Sequence, residues 1–197
     1  MLTLYHSPAT RSSRFIFLLE EIGAPYGIEY VTIKRQDGSG GRDPKNVHPE
    51  GKVPALVHDG ALVTESAAIA LYLSDLVPAA KVGPAVGDPQ RGEYVTELAR
   101  YAGVFEPLVT AKFSGQLETN TALAESYQAM IDAISKRLES GPWWLGEAFS
   151  TADILYGSAA TYFRGLLPEG AAVDAYIERI KARPAYQRAL AKDAVPA

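Results

Sequence analysis

The chain has 197 residues and not one cysteine. Disulfides, thiolate zinc sites, iron–sulfur clusters and a nucleophilic or redox cysteine of its own are thereby excluded. Any sulfur chemistry must use a sulfur carried by a ligand. Long hydrophobic runs are missing too: the longest, such as AAIALYL, is far too short to cross a bilayer. The first residues, MLTLYHSPATRSSR, place polar and proline positions where a secretory signal needs an apolar stretch, which reads as a cytoplasmic protein. Neither sign of charge dominates, with 19 basic and 23 acidic side chains and a net charge of -4, so no broad basic stripe offers itself to nucleic acid. Histidines are scarce: His6, His48 and His58 lack ligand spacing, which points to no metal. The Gly-rich GSGG neither follows a strand directly nor opens a helix, so it does not read as a nucleotide-phosphate loop.

What is present is the composition of an ordinary globular protein, 47% hydrophobic and 21% charged, in a length that suits two small domains. LTLYH is a short apolar strand stopped by Ser7-Pro8. Phe15, Leu18, Leu19 and Ile22 then recur at helical spacing, and Gly23-Ala24-Pro25 ends that helix. IEYVTI reads as a second strand, so a right-handed parallel crossover is implied. From Lys34 to Lys52 the chain is polar and Gly-rich, a loop with at most a short helix. Two apolar runs flank Asp59-Gly60, a strong hairpin signal, and Ile69, Tyr72, Leu73 and Leu76 mark another helix. The Pro/Gly-containing run around 78–88 reads as a linker between domains at 1–77 and 89–197. Everything after Asp88 has helical character, with Ser150 and Asp153 set as a capping box.

In this order SPATRSSRFIFLLEEIG, GKVPALVHDG, LVTESAAIALYL and FSTADIL resemble the cytosolic glutathione S-transferases over nearly the whole chain. TRSSR is similar to the SRSxR string of fungal and bacterial members. The resemblance implies an α/β N-terminal thioredoxin-like domain, βαβαββα, followed by an all-α C-terminal domain. It also implies glutathione as co-substrate, a small hydrophobic electrophile as partner, and a homodimer.

The resemblance carries over residue by residue. Val53-Pro54 is the candidate cis bond, with the Val53 backbone meeting the cysteinyl part of glutathione. Glu65 and Ser66 would grip its γ-glutamyl end, and Lys52, with His48 as a weaker candidate, its glycyl carboxylate. Arg11 is a further candidate for binding. For the hydroxyl that ionises the thiol, the ranking is Thr10, Ser12, Ser7. A tyrosine mechanism is disfavoured, because Tyr5 lies one place too early and His6-Ser7-Pro8 fills the turn. Any of these hydroxyls also suits plain helix capping. Tyr101 and Phe105 are assigned to the second-substrate pocket. Conjugation to electrophiles or peroxide reduction is the implied activity. A non-catalytic glutathione-binding or scaffold protein, and a glutathione-dependent disulfide oxidoreductase, remain as alternatives.

Overall fold

A computed structural model describes residues 1–194. The described chain divides into two compact units, Met1–Ala80 together with the chain from Arg183, and Lys81–Ala182. The expected boundaries at 77 and 89 mark changes of sequence character, whereas these units are drawn by packing. Residues 195–197 of the expected helical domain lie outside the described residues.

The first unit is built on a mixed sheet in the order β2-β1-β3-β4, with β1 Leu2–His6, β2 Tyr26–Tyr30, β3 Ala55–His58 and β4 Ala61–Thr64. β1 and β2 are parallel, joined through α1 (Ser13–Ile22), and the other pairs are antiparallel. α1 buries Phe15, Leu18, Leu19 and Ile22, and it stops where Gly23 turns left-handed at φ 66 and donates to the Leu19 carbonyl. β2 starts earlier than IEYVTI, because it can pair only along β1. Its last rung is Val31 N to the His6 carbonyl at 2.8 Å, where β1 gives way to the proline turn. Asp59 and Gly60 both take positive φ, the backbone that a tight hairpin between β3 and β4 requires. α2 follows at Ser66–Leu76, burying Ile69, Ala70 and Leu73.

One part of the expected βαβαββα string is corrected: between β2 and β3 the chain runs through turns and forms no helix. Gly38, Gly40 and Gly51 take positive φ there, and apolar periodicity is missing, so no helical face exists to bury. The segment is instead held by polar contacts: Asn46 Nδ2 donates to the Lys52 carbonyl at 3.0 Å, and His48 Nδ1 accepts from Glu50 N at 3.1 Å.

The last helix, α9 (Pro184–Asp193), also belongs to this unit. The second unit holds α3 Arg91–Arg100, α4 Glu106–Phe113, α5 Gln116–Thr119, α6 Thr121–Glu139, α7 Thr151–Tyr162 and α8 Ala171–Lys181. Between α3 and α4 the chain is π-helical over Tyr101–Phe105. Pro107 lacks the N–H that would bond the Gly103 carbonyl, which accounts for the widened turn. α7 begins at the expected capping box. Asp153, fully buried, accepts from Ser150 N and from Trp144 N, each at 2.7 Å, and so fixes both the helix start and the preceding loop. Trp144 stacks on Tyr156 at 3.7 Å in the core of this unit.

α9, Pro184–Asp193, returns to pack along α1. Arg183 forks onto Glu21, Arg188 and Lys192 both reach Glu20, and Phe17 meets the Tyr186 ring edge-on at 5.4 Å. Burial would raise the Glu20 carboxyl, but hydrogen bonds from Lys192, Tyr26 and Arg188 overcome it and hold the pKa at about 2. Among the described residues no helix is long and apolar enough to cross a membrane.

Candidate functional site

The register of the sheet decides which loops meet. Tyr5 lies opposite Ala55, and Ala55 opposite Thr64. The turn after β1, the Val53-Pro54 step before β3 and the Glu65-Ser66 step after β4 therefore share one end of the sheet. Two strand spacings separate the outer two, about 10 Å. An extended tripeptide has that reach, roughly 10 Å.

The first of these loops is a network of hydroxyls. Thr10 Oγ1 stands 2.7 Å from the Ser7 carbonyl and 2.7 Å from Ser12 Oγ. Ser12 Oγ also accepts from Ser7 N at 3.2 Å, while Ser12 N donates to Thr10 Oγ1 at 3.2 Å. Ser13 Oγ accepts from Thr10 N at 3.3 Å. These bonds satisfy amides of the turn that leads into α1, whose N-cap Ser12 makes no side-chain capping bond to the helix. Their exposure differs, however. Ser12 is wholly buried and Ser7 is 3% exposed, whereas Thr10 is half-buried, so Thr10 is the hydroxyl of the three that best meets a ligand from outside. Arg11 is exposed beside it.

Sequence reasoning did not find the partner of Ser12. His6 Nδ1 lies 2.8 Å from Ser12 Oγ, and His6 Nε2 lies 2.9 Å from the Asp193 carbonyl on α9. His6 has no exposed surface. Burial lowers its pKa, opposed by a hydrogen bond and the charge of Asp193. One signal was available: Leu2, Leu4 and His6 alternate along β1, so the period that buries the two leucines also buries the imidazole. A buried imidazole requires partners. Asp193 itself accepts from Ala9 N through Oδ2 at 3.2 Å, so α9 ties down the turn as well as the histidine.

The Val53-Pro54 peptide bond is cis, with Pro54 buried and Val53 half-buried at the start of β3. Lys52 is exposed and ion-paired to Glu50, which raises its pKa, and the Glu65 carboxylate adds to that rise. Lys52 and Glu65 therefore feel one another's charge. Glu65 occupies the N-cap of α2 with φ 69 and ψ 125, a left-handed backbone that costs a non-glycine residue about 1–3 kcal/mol. Such a cost persists where its surroundings hold it, and Ser66 opens the helix immediately after. His48 is buried and spends Nδ1 on the loop. The sheet end thus collects Ser7, Thr10, Ser12, Val53, Pro54, Glu65 and Ser66, with Lys52 joined to Glu65 by charge.

Tyr101 and Phe105 lie in the second unit, 1% and 2% exposed, stacked at 5.3 Å. Tyr101 donates to Glu106 at 2.5 Å. Phe105 lines a cavity of about 250 Å³ with Arg100, Met130, Trp144 and Tyr156, and Tyr101 packs behind it. Among the described residues no three His, Asp or Glu side chains gather as metal ligands.

Comparison with known proteins also divides the chain in two, with most of α9 falling in the C-terminal match. Residues 10–76 match the N-terminal domain of the glutathione S-transferases and residues 99–191 their C-terminal domain. The chain is 30% identical over 214 residues to disulfide-bond oxidoreductase YfcG of Escherichia coli K12, covering 98% of this chain and 95% of that protein. It is 26% identical over 196 residues to glutathione S-transferase GstA of Escherichia coli O157:H7, covering 96% and 98%. Among solved structures, a sphingomonad glutathione S-transferase complexed with glutathione superposes with a TM-score of 0.80 at 30% identity, over 98% of this chain and 100% of that one. With both domains matched and a relative at 30% identity aligned over nearly its whole length, the chain belongs to the glutathione S-transferase family.

Proposed function

We propose that the protein is a glutathione transferase, holding the tripeptide along the sheet end of its first unit and presenting the thiol to Thr10. The observation that carries this reading is the register that puts Thr10, Val53 and Glu65 at one end of the sheet, spaced for an extended tripeptide. In this reading the Glu65 carboxylate takes the γ-glutamyl ammonium. Ser66, through its hydroxyl and N–H at the start of α2, takes the carboxylate beside it. Val53 pairs with the cysteinyl backbone as an added strand would. Lys52 takes the glycyl carboxylate, with Arg11 a second cation near the entry.

Chemistry then depends on the thiol. A free thiol titrates near pH 8.5, and moving it down by about two units needs ~2.7 kcal/mol of preference for the thiolate. The start of α1 contributes up to ~1 kcal/mol if exposed and ~2 if partly buried. A hydroxyl donating to a charged sulfur contributes about 1.5–3 kcal/mol. The sum is enough. A thiolate so formed attacks an electrophilic carbon or reduces a peroxide, gaining chiefly from proximity. For the electrophile, the reading keeps Phe105 as a cavity wall and Tyr101 as the ring that supports it. A homodimer in the cytoplasm completes the proposal, the dimer being tested by sedimentation.

A glutathione-dependent disulfide oxidoreductase is the second reading, favoured by one relative named for that activity and by a chain without cysteine. The two are separated by assaying the same preparation with 1-chloro-2,4-dinitrobenzene and with a mixed disulfide of glutathione. Conjugation with little disulfide turnover supports the transferase; the reverse replaces it.

A further inference from the structure

We infer that His6 is a positioning residue for the thiol proton, which it receives through a relay of two hydroxyls, Thr10 and Ser12. The inference rests on the proposed placement of the glutathione sulfur against Thr10.

The directions of the hydrogen bonds can be worked out from what each atom is able to do. The Asp193 carbonyl only accepts, so His6 Nε2, 2.9 Å away, carries a proton. A neutral imidazole then has its lone pair on Nδ1, and Ser12 Oγ, 2.8 Å away, donates to it. With its proton committed there, Ser12 Oγ accepts from Ser7 N and is a ready acceptor for the Thr10 proton at 2.7 Å. The Thr10 proton therefore has only inward acceptors, Ser12 Oγ and the Ser7 carbonyl, both at 2.7 Å. In this resting arrangement Thr10 turns a lone pair outward, the wrong polarity to stabilise a thiolate.

One concerted shift reverses every link. Thr10 Oγ1 takes the thiol proton and gives its own to Ser12 Oγ, which gives its own to His6 Nδ1. The S–H bond and the two original O–H bonds break; two new O–H bonds and one N–H bond form. No electrons change owner, and the products are a thiolate and an imidazolium. Each contact of the relay is kept with its direction reversed, and the Ser7 carbonyl gives up its share of the Thr10 proton, so that Thr10 now donates to the sulfur.

Burial works against a proton on His6, and the groups around the ring offset part of that cost. Asp193 Oδ1 is buried without a hydrogen-bond partner and lies 3.5 Å from His6 Nε2, so a carboxylate waits beside the ring that would become positive. From β2, Tyr30 meets the imidazole edge-on at 5.5 Å and spends its hydroxyl on the Lys192 carbonyl. On α9, the Lys192 ammonium is held by Glu20, and Arg35, from the loop after β2, donates to the Pro8 carbonyl. His6 and Ser12 have no exposed surface, so the half-buried Thr10 is the link that reaches outside.

The test uses the full chain labelled with ¹⁵N-histidine, His6 being assigned by loss of its signal in His6→Gln. Spectra are taken at pH 7 with saturating glutathione and with S-methylglutathione, which has no thiol proton, while ultraviolet absorbance reads thiolate in the glutathione sample. The relay predicts that both His6 ring nitrogens are protonated with glutathione, that one is protonated with S-methylglutathione, and that thiolate is present. Ser12→Ala should leave His6 neutral and raise the bound-thiol pKa by about one unit, a tenfold change in the ionisation constant. Thiolate with a neutral His6 overturns the relay and leaves the transferase reading standing. Bound glutathione without thiolate, or no binding, overturns both.

Discussion

In the proposed site the single hydroxyl of Thr10 serves twice, and both uses are kept or lost together. It accepts from Ser12 N in the turn before α1, and in the proposed function it is the hydroxyl offered to the thiol. Thr10→Ser keeps both functions and should leave the bound-thiol pKa within a few tenths of a unit. Thr10→Val keeps the shape and loses the hydrogen bond to a charged sulfur, so the pKa should rise by about one to two units. A titration that shows equal values for the two variants would remove Thr10 from the mechanism. Glu65 offers an opposite trade. With φ at 69 its backbone is strained, so Glu65→Gly should raise the melting temperature while weakening glutathione binding by about tenfold or more. Calorimetry on the same samples reads both, and an unchanged affinity counts against the γ-glutamyl role. At this scale the hydroxyls, Val53-Pro54 and Glu65-Ser66 were legible, because each belongs to a local string. His6 was not, since its role depends on Asp193, 187 positions away, and no local pattern records a contact across that separation.

Among elements, α9 carries most of what the sequence concealed. Its helical spacing is readable, but its destination on α1 is set by ion pairs between residues far apart: Arg183 with Glu21, and Arg188 and Lys192 with Glu20. This docking is pH-dependent with a definite sign. Glu20 titrates at about 2 when folded, below the ordinary range of about 4.3, so its stabilisation is complete above the unfolded value and is lost as pH falls toward 2. Urea midpoints measured at pH 7 and pH 3 should therefore differ less in Glu20→Gln than in the parent chain. Equal differences would show that Glu20 does not contribute. α7 behaves otherwise, since its capping box was read directly from Ser150 and Asp153, four consecutive positions being enough to specify it. Asp153→Ala leaves the buried amides of Trp144 and Ser150 without their acceptor, at about 1–3 kcal/mol each, and the melting temperature should fall by several degrees. The middle helix expected between β2 and β3 is absent for a matching reason: glycines at positive φ and a segment without an apolar face leave nothing for a helix to bury.

For the whole molecule, the account assigns glutathione to one end of the sheet in the first unit, where α9 supplies Asp193 to the turn that carries Thr10. The chain provides no thiol of its own, so all its thiol chemistry rests on a ligand thiol being made acidic. Apart from the absent helix between β2 and β3 and the docking of α9, the fold was legible because strand alternation, the Asp59-Gly60 turn and helical spacing all point the same way. The chemistry was legible only as far as residue types at the sheet end, since which hydroxyl faces outward is decided by packing around Ser12. The central claim is that this site both binds glutathione and ionises it. The direct measurement is an ultraviolet difference titration of glutathione bound to the purified protein, reading thiolate absorbance against pH. The account predicts thiolate appearing about two units below the free thiol's value. Glutathione that binds and still titrates near 8.5 would contradict it.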